Sequence, residues 1–488
     1  MLGAWVLWGT IAAAIYHAQG LTLSHYDAKG HLVVARRVLD SLTPTWRQVG
    51  AVWLPLPHLL NLLPVQIDAL YRTGYSAVAI SIVSLSIAGF AAGSVVLRCT
   101  GSRLAAALAG ILIAANPNLL YLQSTPMTEP LLLALLMAST WCLLVWVETG
   151  QLRWHRASGW MLSAASLTRY EAWPFTVAAI GLAAVVRLRG GAGVRHTFID
   201  IAWLSAYPLV AVMLFLINSY LSTGVWFVTD GFFVPDPALQ RDVLRVTGSV
   251  WWGVRKLGSY PLAIGASVAP PLVAIVAWRR RSHGPMLVTL ALTAVAALPW
   301  YAFYEGHPFR IRYMVPLVAA SIVSCSLMIG LLRGRARLAT ATIFCALVVY
   351  GAPPFDRRAP MVLEAQWDLP NSHGRAAVTR CLAERRPGES ILASMGSLAH
   401  YMQELSSSGL RIADFIHEGN GDIWASALRQ PTRYAGWVLI EERAEGGDVL
   451  ASLRRRTPAF LAGFTRVCEG GGVALYRANQ GLPIRASN

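Results

Sequence analysis

Apolar segments of bilayer length recur along the first 352 residues of this chain. A helix needs roughly 20 apolar residues to cross a bilayer, within a range of about 17 to 25, and about eleven segments approach that length. They lie near residues 2–18, 73–97, 103–121, 127–147, 157–168, 172–188, 198–221, 257–278, 284–303, 312–332 and 336–352. Segment 157–168 is short, which favours a broken or re-entrant helix. Because 55% of the residues are hydrophobic and only 14% are charged, composition also indicates a polytopic α-helical membrane protein.

Arginines predict the orientation of these segments. The formal net charge is +16, and arginines cluster in alternate loops, around Arg98, Arg153, Arg187, Arg279 and Arg333. Because basic loops are retained on the cytoplasmic side, we expect a cytoplasmic N-terminus and a first segment that acts as a retained signal anchor. The outer side then receives residues 19–72, 116–126, 168–172, 222–256, 304–311 and the region after 353. The basic charge therefore reflects topology, and nucleic acid is not an expected partner.

Residues 353–488 differ from the membrane part, 1–352, in being charged and Gly-rich without an apolar segment of bilayer length. Short apolar stretches at 391–393, 411–413 and 436–440 alternate with helical patterns at 373–385, 397–404 and 446–456. This alternation predicts a small α/β domain on the outer side. Cys381 and Cys468 would share an oxidising compartment there, where they either form a disulfide or remain two buried thiols.

The long first outer loop, 19–72, carries the first candidate site residue, Asp27. The helical spacing of Leu32, Val33 and Leu39 with Arg36 and Arg37 predicts a short amphipathic helix on the membrane surface. Asp27 at its start is either a reactive group that faces a lipid-borne substrate or an ordinary helix N-cap.

Further along the same loop, the sequence Trp-Leu-Pro-Leu-Pro-His ends in His58. Its two prolines prevent a regular helix. His58 is therefore either a structural histidine at the interface or a base or ligand.

Glu129 begins an apolar segment directly after an outer loop. A charged side chain inside a span costs up to about 3 kcal/mol and usually faces a cavity or a partner. This cost favours a cavity role for Glu129. The alternative is that the carboxylate complements the positive end of its own helix.

Two junctions place arginines at the outer ends of helices, where charge asymmetry does not require them. The first contains Arg169, Tyr170 and Glu171, and the second contains Arg310, Arg312 and Tyr313. A guanidinium group suits bidentate binding of a phosphate, such as an anionic lipid headgroup. The alternatives are an Arg169–Glu171 ion pair and arginines at the second junction that extend to the headgroups.

Taken together, these motifs resemble the GT-C superfamily of integral membrane glycosyltransferases. The similarity is to bacterial members related to protein O-mannosyltransferases and to the aminoarabinose transferases of lipid A. It is carried by the first-loop acid in Tyr-Asp-Ala at 26–28, the Pro-rich stretch that ends at His58, Thr-Glu-Pro at 128–130, Thr-Arg-Tyr-Glu at 168–171 and Arg-Ile-Arg-Tyr at 310–313. It covers residues 1–350 and the plan of a C-terminal outer domain.

The resemblance implies an inverting transfer of a sugar from a polyprenyl-phosphate carrier to an acceptor hydroxyl, at the outer face of a bacterial inner membrane. Asp27 would be the general base, Glu129 a second acid in the pocket, and Arg310 or Arg312 would stabilise the leaving phosphate. His58, Arg169, Tyr170, Glu171 and Tyr313 would help to bind substrate. The resemblance implies no required cofactor, although His25, His58, Asp27 and Glu129 leave a divalent metal open.

Two other activities remain alternatives at the level of sequence. An oligosaccharyltransferase-like enzyme would show a Trp-Trp-Asp motif in its outer domain, whereas this chain has Trp-Trp-Gly at 251–253. A lipid or glycan transporter or flippase would carry ionisable residues near mid-bilayer. The candidate charges of this chain gather at one face, which favours the transferase.

Overall fold

The structure is a computed structural model that describes residues 2–228, 234–444 and 447–479. Parts of two predicted regions lie outside the described residues, namely 229–233 of the outer loop and 445–446 and 480–488 of the C-terminal region. The α-helices are α1 (Leu2–Ala18), α2 (Tyr26–Arg36), α3 (Leu56–Asn61), α4 (Asp68–Thr73), α5 (Tyr75–Thr100), α6 (Arg103–Ala115), α7 (Pro117–Gln123), α8 (Glu129–Thr149), α9 (Leu152–Ser166), α10 (Ala172–Arg189), α11 (Val194–Thr223), α12 (Val243–Gly258), α13 (Tyr260–Arg279), α14 (Ala297–Tyr304), α15 (Val315–Leu331), α16 (Gly334–Gly351), α17 (Pro360–Glu364), α18 (Leu369–Leu382), α19 (Met395–Leu405), α20 (Asp422–Arg429), α21 (Pro431–Tyr434) and α22 (Val449–Arg456). Short 3-10 segments occur at Trp46–Val49, Pro64–Gln66, Ile311–Met314, Ser406–Ser408, Ile412–Asp414, Glu418–Asn420 and Pro458–Leu461, and a longer one at Arg281–Ala296.

Each predicted apolar segment overlaps a helix. Within the described residues, 7 helices are long and apolar enough to cross a membrane, or up to 8 if a bent pair counts as one span. These helices are Tyr75–Thr100, Glu129–Thr149, Ala172–Arg189, Val194–Thr223, Tyr260–Arg279, Arg281–Tyr304 and Ile311–Leu331, and the bent pair is α6 with α7. The predicted segment 157–168 corresponds to α9, which has only 15 residues. The prediction of a polytopic α-helical membrane protein is confirmed.

The bend between α6 and α7 has a local cause in the sequence. Asn116 ends α6, and its side chain accepts hydrogen bonds from the backbone N–H groups of Asn118 and Leu119. Pro117 follows and has no N–H to continue the preceding helix. The axes therefore turn by 65°, and α7 runs fully buried where the sequence predicted part of an outer loop, 116–126.

The C-terminal region forms one five-stranded sheet with strand order β2-β1-β3-β5-β4. The strands are β1 (Ile391–Ala393), β2 (Phe415–Ile416), β3 (Trp437–Glu441), β4 (Phe464–Gly470) and β5 (Val473–Ala478). β1 pairs in parallel with β2 and β3, and β5 runs antiparallel to both β3 and β4. The predicted α/β character is confirmed, with α18, α19 and α22 at the predicted helical patterns.

The sheet differs from the prediction in two details. The apolar stretch 411–413 falls largely in a 3-10 turn at Ile412–Asp414, and the strand comes directly afterwards at β2. The hairpin of β4 and β5 was not predicted from the sequence. β4 is an edge strand whose residues are mostly exposed, so its sequence carries no apolar pattern.

Helix α2 also departs from the prediction of an amphipathic helix on the membrane surface. Ten of its eleven residues are buried. Leu32 and Val33 share a hydrophobic core with Ile391 and Leu439 of the sheet. The C-terminal region covers the face of α2 that was predicted to meet lipid and headgroups, which local periodicity does not reveal.

Cys381 and Cys468 form a disulfide, with their Cα atoms 6.5 Å apart. The bond joins α18 to the edge strand β4. It answers the question that the sequence left open between a disulfide and two free thiols.

A largely buried carboxylate, that of Glu441 at the end of β3, predicts that stability depends on pH. Burial raises the pKa of Glu441 from its ordinary 4.5 to about 7, and Asp368 and Asp448 add to this effect against the charge of Arg375. Because the folded state holds this proton more tightly than the unfolded state, the contribution is present below about pH 4.5 and is lost as pH rises through about 7. The loss should amount to roughly 3 kcal/mol.

We therefore expect the thermal unfolding midpoint of the detergent-solubilised protein to fall between pH 5 and pH 8. Glu441→Gln should flatten this dependence. Glu384→Gln is the matched control, since the Glu384 side chain is 70% exposed. An equal pH dependence in wild type and Glu441→Gln would contradict the assignment.

Candidate active site

Asp27 lies in the first turn of α2 but is not the N-cap of that helix. The N-cap is His25, whose Nδ1 accepts a hydrogen bond from the Asp27 backbone N–H at 3.1 Å. The carboxylate of Asp27 lies in the first turn and is left for other partners, although the residue is only 5% exposed. Asp27 is therefore not the N-cap of α2, and that alternative is wrong. His25, two residues earlier, is the N-cap.

The partner of Asp27 is Arg312, which lies 285 positions later in the chain. Arg312 Nη1 donates a hydrogen bond to Asp27 Oδ2, and the side chains of Arg312 and Asp27 are only 12% and 7% exposed. Burial alone would raise the pKa of Asp27, but Arg312, with smaller contributions from His25 and His31, lowers it to about 2. The carboxylate is thus ionised at neutral pH.

A second buried cluster forms around Arg169. Its Nη1 lies 2.8 Å from Glu129 Oε1, and its Nη2 lies 2.7 Å from Glu171 Oε1. Glu129 is fully buried at the first position of α8, and Arg169 also donates to Thr128 Oγ1 at 3.1 Å. The Arg169–Glu171 ion pair that the sequence left as an alternative is present, and it extends to Glu129.

The two clusters act on each other electrostatically. The guanidinium group of Arg312 interacts with Glu129 as well as with Asp27, and it repels that of Arg169. Three carboxylates therefore face two guanidinium groups in one buried site. Oε2 of Glu129 has no hydrogen-bond partner among the described residues, so this oxygen remains able to accept a donor.

His58 lies beside this site and contacts His31. It belongs to the short helix α3, so the expectation that the two prolines prevent a helix is wrong: Pro55 is the N-cap of α3 and Pro57 lies in its first turn, where a missing N–H is tolerated. His31 Nδ1 and His58 Nε2 are 3.0 Å apart, and the Trp53 ring stacks on His58 and contacts His31 at a tilt. Burial, with the charge of Arg37, lowers the pKa of His58 to about 3, so its imidazole is neutral at pH 7. Sequence reasoning missed His31, although its position four residues after Asp27 on a helix places the two side chains on one face.

The remaining predicted residues border the same end of the helices. The Tyr170 hydroxyl donates a hydrogen bond to the Val52 carbonyl at 2.8 Å. This bond connects the junction at 168–171 to the first outer loop. The Tyr313 hydroxyl lies 3.4 Å from His307 Nε2. Arg310 is half-buried in extended backbone directly before the 3-10 turn that carries Arg312. The roles of these residues in binding stay predictions.

A cavity of about 480 Å³ is lined by neighbours in sequence of the second arginine junction, although Asp27 and Arg312 themselves are not in its wall. Its wall contains Phe309 and Ile311, which flank Arg310, and Glu364, whose carboxylate lies 3.6 Å from His25 Nε2. The lining residues are Pro117, Asn118, Trp252, Lys256, Phe309, Ile311, Gly351, Ala352, Asp356, Arg358, Ala359, Pro360, Leu363 and Glu364. Pockets of 300 to 1,000 Å³ with aromatic walls and a few polar groups are typical of small-ligand sites.

No group of three or more His, Cys, Asp or Glu side chains with the spacing of a metal site occurs within the described residues. Asp27 and Glu129 are each paired with an arginine. In this arrangement His25, His58, Asp27 and Glu129 do not form such a group, and the expectation that no cofactor is required stays a prediction.

This fold is similar to that of two crystal structures of ArnT from Cupriavidus metallidurans. With the structure bound to undecaprenyl phosphate, the chain shares a TM-score of 0.61 and 11% sequence identity, over 97% of this chain and 98% of that one. With the apo structure, the TM-score is 0.59 and the identity 12%, over the same shares. The chain has the ArnT fold.

At this level of identity the likeness to ArnT shows the fold alone, and it does so over nearly the whole length of both chains. It confirms the fold expected from the resemblance to membrane glycosyltransferases of the GT-C type, including the C-terminal sheet. No protein-family model matches the chain, and no curated protein matches its sequence.

Proposed function

We propose that this protein is an inverting membrane glycosyltransferase, which moves a sugar from a polyprenyl-phosphate carrier to an acceptor hydroxyl. The proposal rests on the ion pair between Asp27 and Arg312, which lies beside the ion pair between Glu129 and Arg169. Both pairs occur in a chain with the ArnT fold. A carboxylate base next to a guanidinium group is the pair of charges that such a transfer requires. The acceptor and the sugar are left open.

In the proposed reaction, Asp27 takes the proton from the acceptor hydroxyl as its oxygen bonds to the anomeric carbon. The bond from that carbon to the phosphate oxygen breaks on the opposite face, and its electron pair leaves with the polyprenyl phosphate. Arg312 or Arg310 would stabilise the charge that grows on this phosphate. A single displacement of this kind inverts the anomeric carbon.

The ion pair gives Arg312 two roles in the proposed reaction. While it is bound to Asp27, it keeps the pKa of that carboxylate at about 2, which makes Asp27 a weak base. A substrate phosphate that recruits the guanidinium group would weaken this contact and raise the pKa of Asp27 toward its ordinary range. Donor binding would thereby activate the base.

The proposed chamber for the sugar is the cavity whose wall contains Ile311, next to Arg312 in the sequence, and Glu364, which contacts His25. Trp252 and Phe309 contribute aromatic surface, and Asp356 and Glu364 offer carboxylates that can accept hydrogen bonds from sugar hydroxyls. Lys256 lines the same cavity and could bind a phosphate as a point charge.

We further propose that this site faces the outer side of a bacterial inner membrane. Arginines are concentrated in alternate loops between the helices, as expected for loops that stay on the cytoplasmic side. The Cys381–Cys468 disulfide also favours an oxidising compartment for the C-terminal region.

The proposal is tested by mass spectrometry of lipids that co-purify with the detergent-solubilised protein. We expect wild type to retain a polyprenyl phosphate or its sugar conjugate, and Arg310→Ala or Arg312→Ala to lose it. Arg153→Ala, an exposed arginine at the opposite end of the helices, is the control that should keep the lipid. No polyprenyl lipid in any sample, with ordinary phospholipid unchanged across the variants, would argue for transport instead.

A further inference from the structure

The residues just before Asp27 are held by side chains from beyond the last apolar segment. His25 Nε2 lies 3.6 Å from Glu364 Oε1 of α17. The Tyr26 ring meets the Trp367 ring edge-on, with 5.6 Å between the centroids. The N-terminal end of α2 is therefore fixed from the side of the C-terminal region.

Lys29, two positions after Asp27, is also bound by the C-terminal region, through an ion pair. Lys29 Nζ lies 2.5 Å from Glu404 Oε1 on α19. Glu404 also accepts hydrogen bonds from Arg375, whose guanidinium group binds Asp368 as well. Lys29 and Arg375 are less than one tenth exposed. This network, Lys29–Glu404–Arg375–Asp368, joins α2 to the C-terminal domain through largely buried charges, with the Glu404 side chain 19% exposed.

The two sides of α2 thus serve different partners. Asp27 meets Arg312 at the edge of the helical bundle, while Lys29 meets Glu404 in the C-terminal domain. Leu32 and Val33 then pack into the core that the helix shares with the sheet. A largely buried ion pair offsets the desolvation of its two charges only in a good geometry, so the Lys29–Glu404 pair constrains how α2 lies against the C-terminal domain.

We infer that the C-terminal domain positions the base, with Glu404 acting through Lys29 to hold the helix turn that carries Asp27. The inference rests on the proposed transfer reaction, in which Asp27 must meet the acceptor hydroxyl. Since a misplacement of about 1 Å can reduce a rate by about 100-fold, holding this turn contributes directly to turnover. Glu404 and Lys29 are positioning residues, because neither is expected to touch the reacting atoms.

The test uses Lys29→Met in the full-length protein. This change removes the contact to α2 but leaves Glu404 paired with Arg375, so that the C-terminal domain keeps its own ion pairs. We expect turnover, measured as free polyprenyl phosphate released in native membranes, to fall about tenfold or more. The amount of polyprenyl lipid bound per purified protein should stay within about twofold of wild type, because binding at the arginines does not depend on Lys29.

A structural readout accompanies the rate. Backbone amide exchange in residues 26–36 should become faster in Lys29→Met, and Lys29→Arg should restore both the slow exchange and most of the turnover. The matched control is Arg385→Met, which removes a half-buried ion pair between Arg385 and Asp414 in the same domain, with an N–O distance of 3.4 Å. That pair does not touch α2, so turnover should be unchanged.

Unchanged turnover in Lys29→Met, in a protein whose wild type is active, would overturn this inference alone. Absence of turnover in wild type would instead overturn the proposed reaction.

Discussion

Asp27→Asn should reduce turnover by about 10²- to 10⁴-fold, since that is the usual contribution of a general base. The amide keeps the shape of the carboxylate but cannot accept the proton of the acceptor hydroxyl as the proposed reaction requires. Turnover is measured as free polyprenyl phosphate released in native membranes, and bound polyprenyl lipid should remain. Full activity of Asp27→Asn would contradict the mechanism.

The controls for this variant separate chemistry from folding, because Asp27→Asn also leaves buried Arg312 without its carboxylate. Loss of one partner of a buried pair destabilises by about 3–5 kcal/mol, so thermal unfolding must be measured alongside turnover. Asp27→Glu keeps the charge and should unfold near the wild-type temperature, yet remain slow because its carboxylate is displaced. Asp200→Asn removes the ion pair to Arg187 at the opposite end of α10, away from α2, and should leave the rate unchanged.

Arg169→Met should destabilise the protein by about 3–5 kcal/mol, because it leaves Glu129 and Glu171 buried without their cation. This is a large fraction of the 5–15 kcal/mol that typically stabilises a folded protein. We therefore expect little monodisperse protein after purification and a much lower unfolding temperature.

Neutralising the whole cluster tests whether the effect of Arg169 is electrostatic. The triple variant Glu129→Gln, Arg169→Met, Glu171→Gln should recover most of the lost stability, since no unpaired charge remains buried. Its turnover should stay low if Glu129 has the predicted role in the pocket. If Arg169→Met alone unfolded at the wild-type temperature, burial of Glu129 and Glu171 would not depend on the charge of this arginine.

Much of the fold could be predicted because bilayer-spanning helices need long apolar segments that are visible in the sequence. The overlap of every predicted segment with a helix follows from that requirement. Less could be predicted where an element is short or exposed. β2 has two residues, and edge strand β4 is largely exposed, so neither carries a clear apolar pattern.

The candidate residues themselves could be found from the sequence, since charged side chains at the ends of apolar segments are uncommon. Their partners could not be found in this way. Asp27 and Arg312 are separated by 285 positions, and Glu129 and Arg169 by 40. Nothing local in the sequence distinguishes an arginine that binds phosphate from one that binds a carboxylate.

The sequence by itself determined that this chain crosses a membrane many times, carries an α/β region after its last span, and gathers unusual charges at one end of its helices. These properties depend on length, hydropathy and local spacing. Only the tertiary structure decided that α2 is enclosed by the C-terminal domain and that both candidate carboxylates are bound to arginines. Burial and ion pairing are decided by which distant elements pack together, and the sequence of one element does not contain that information.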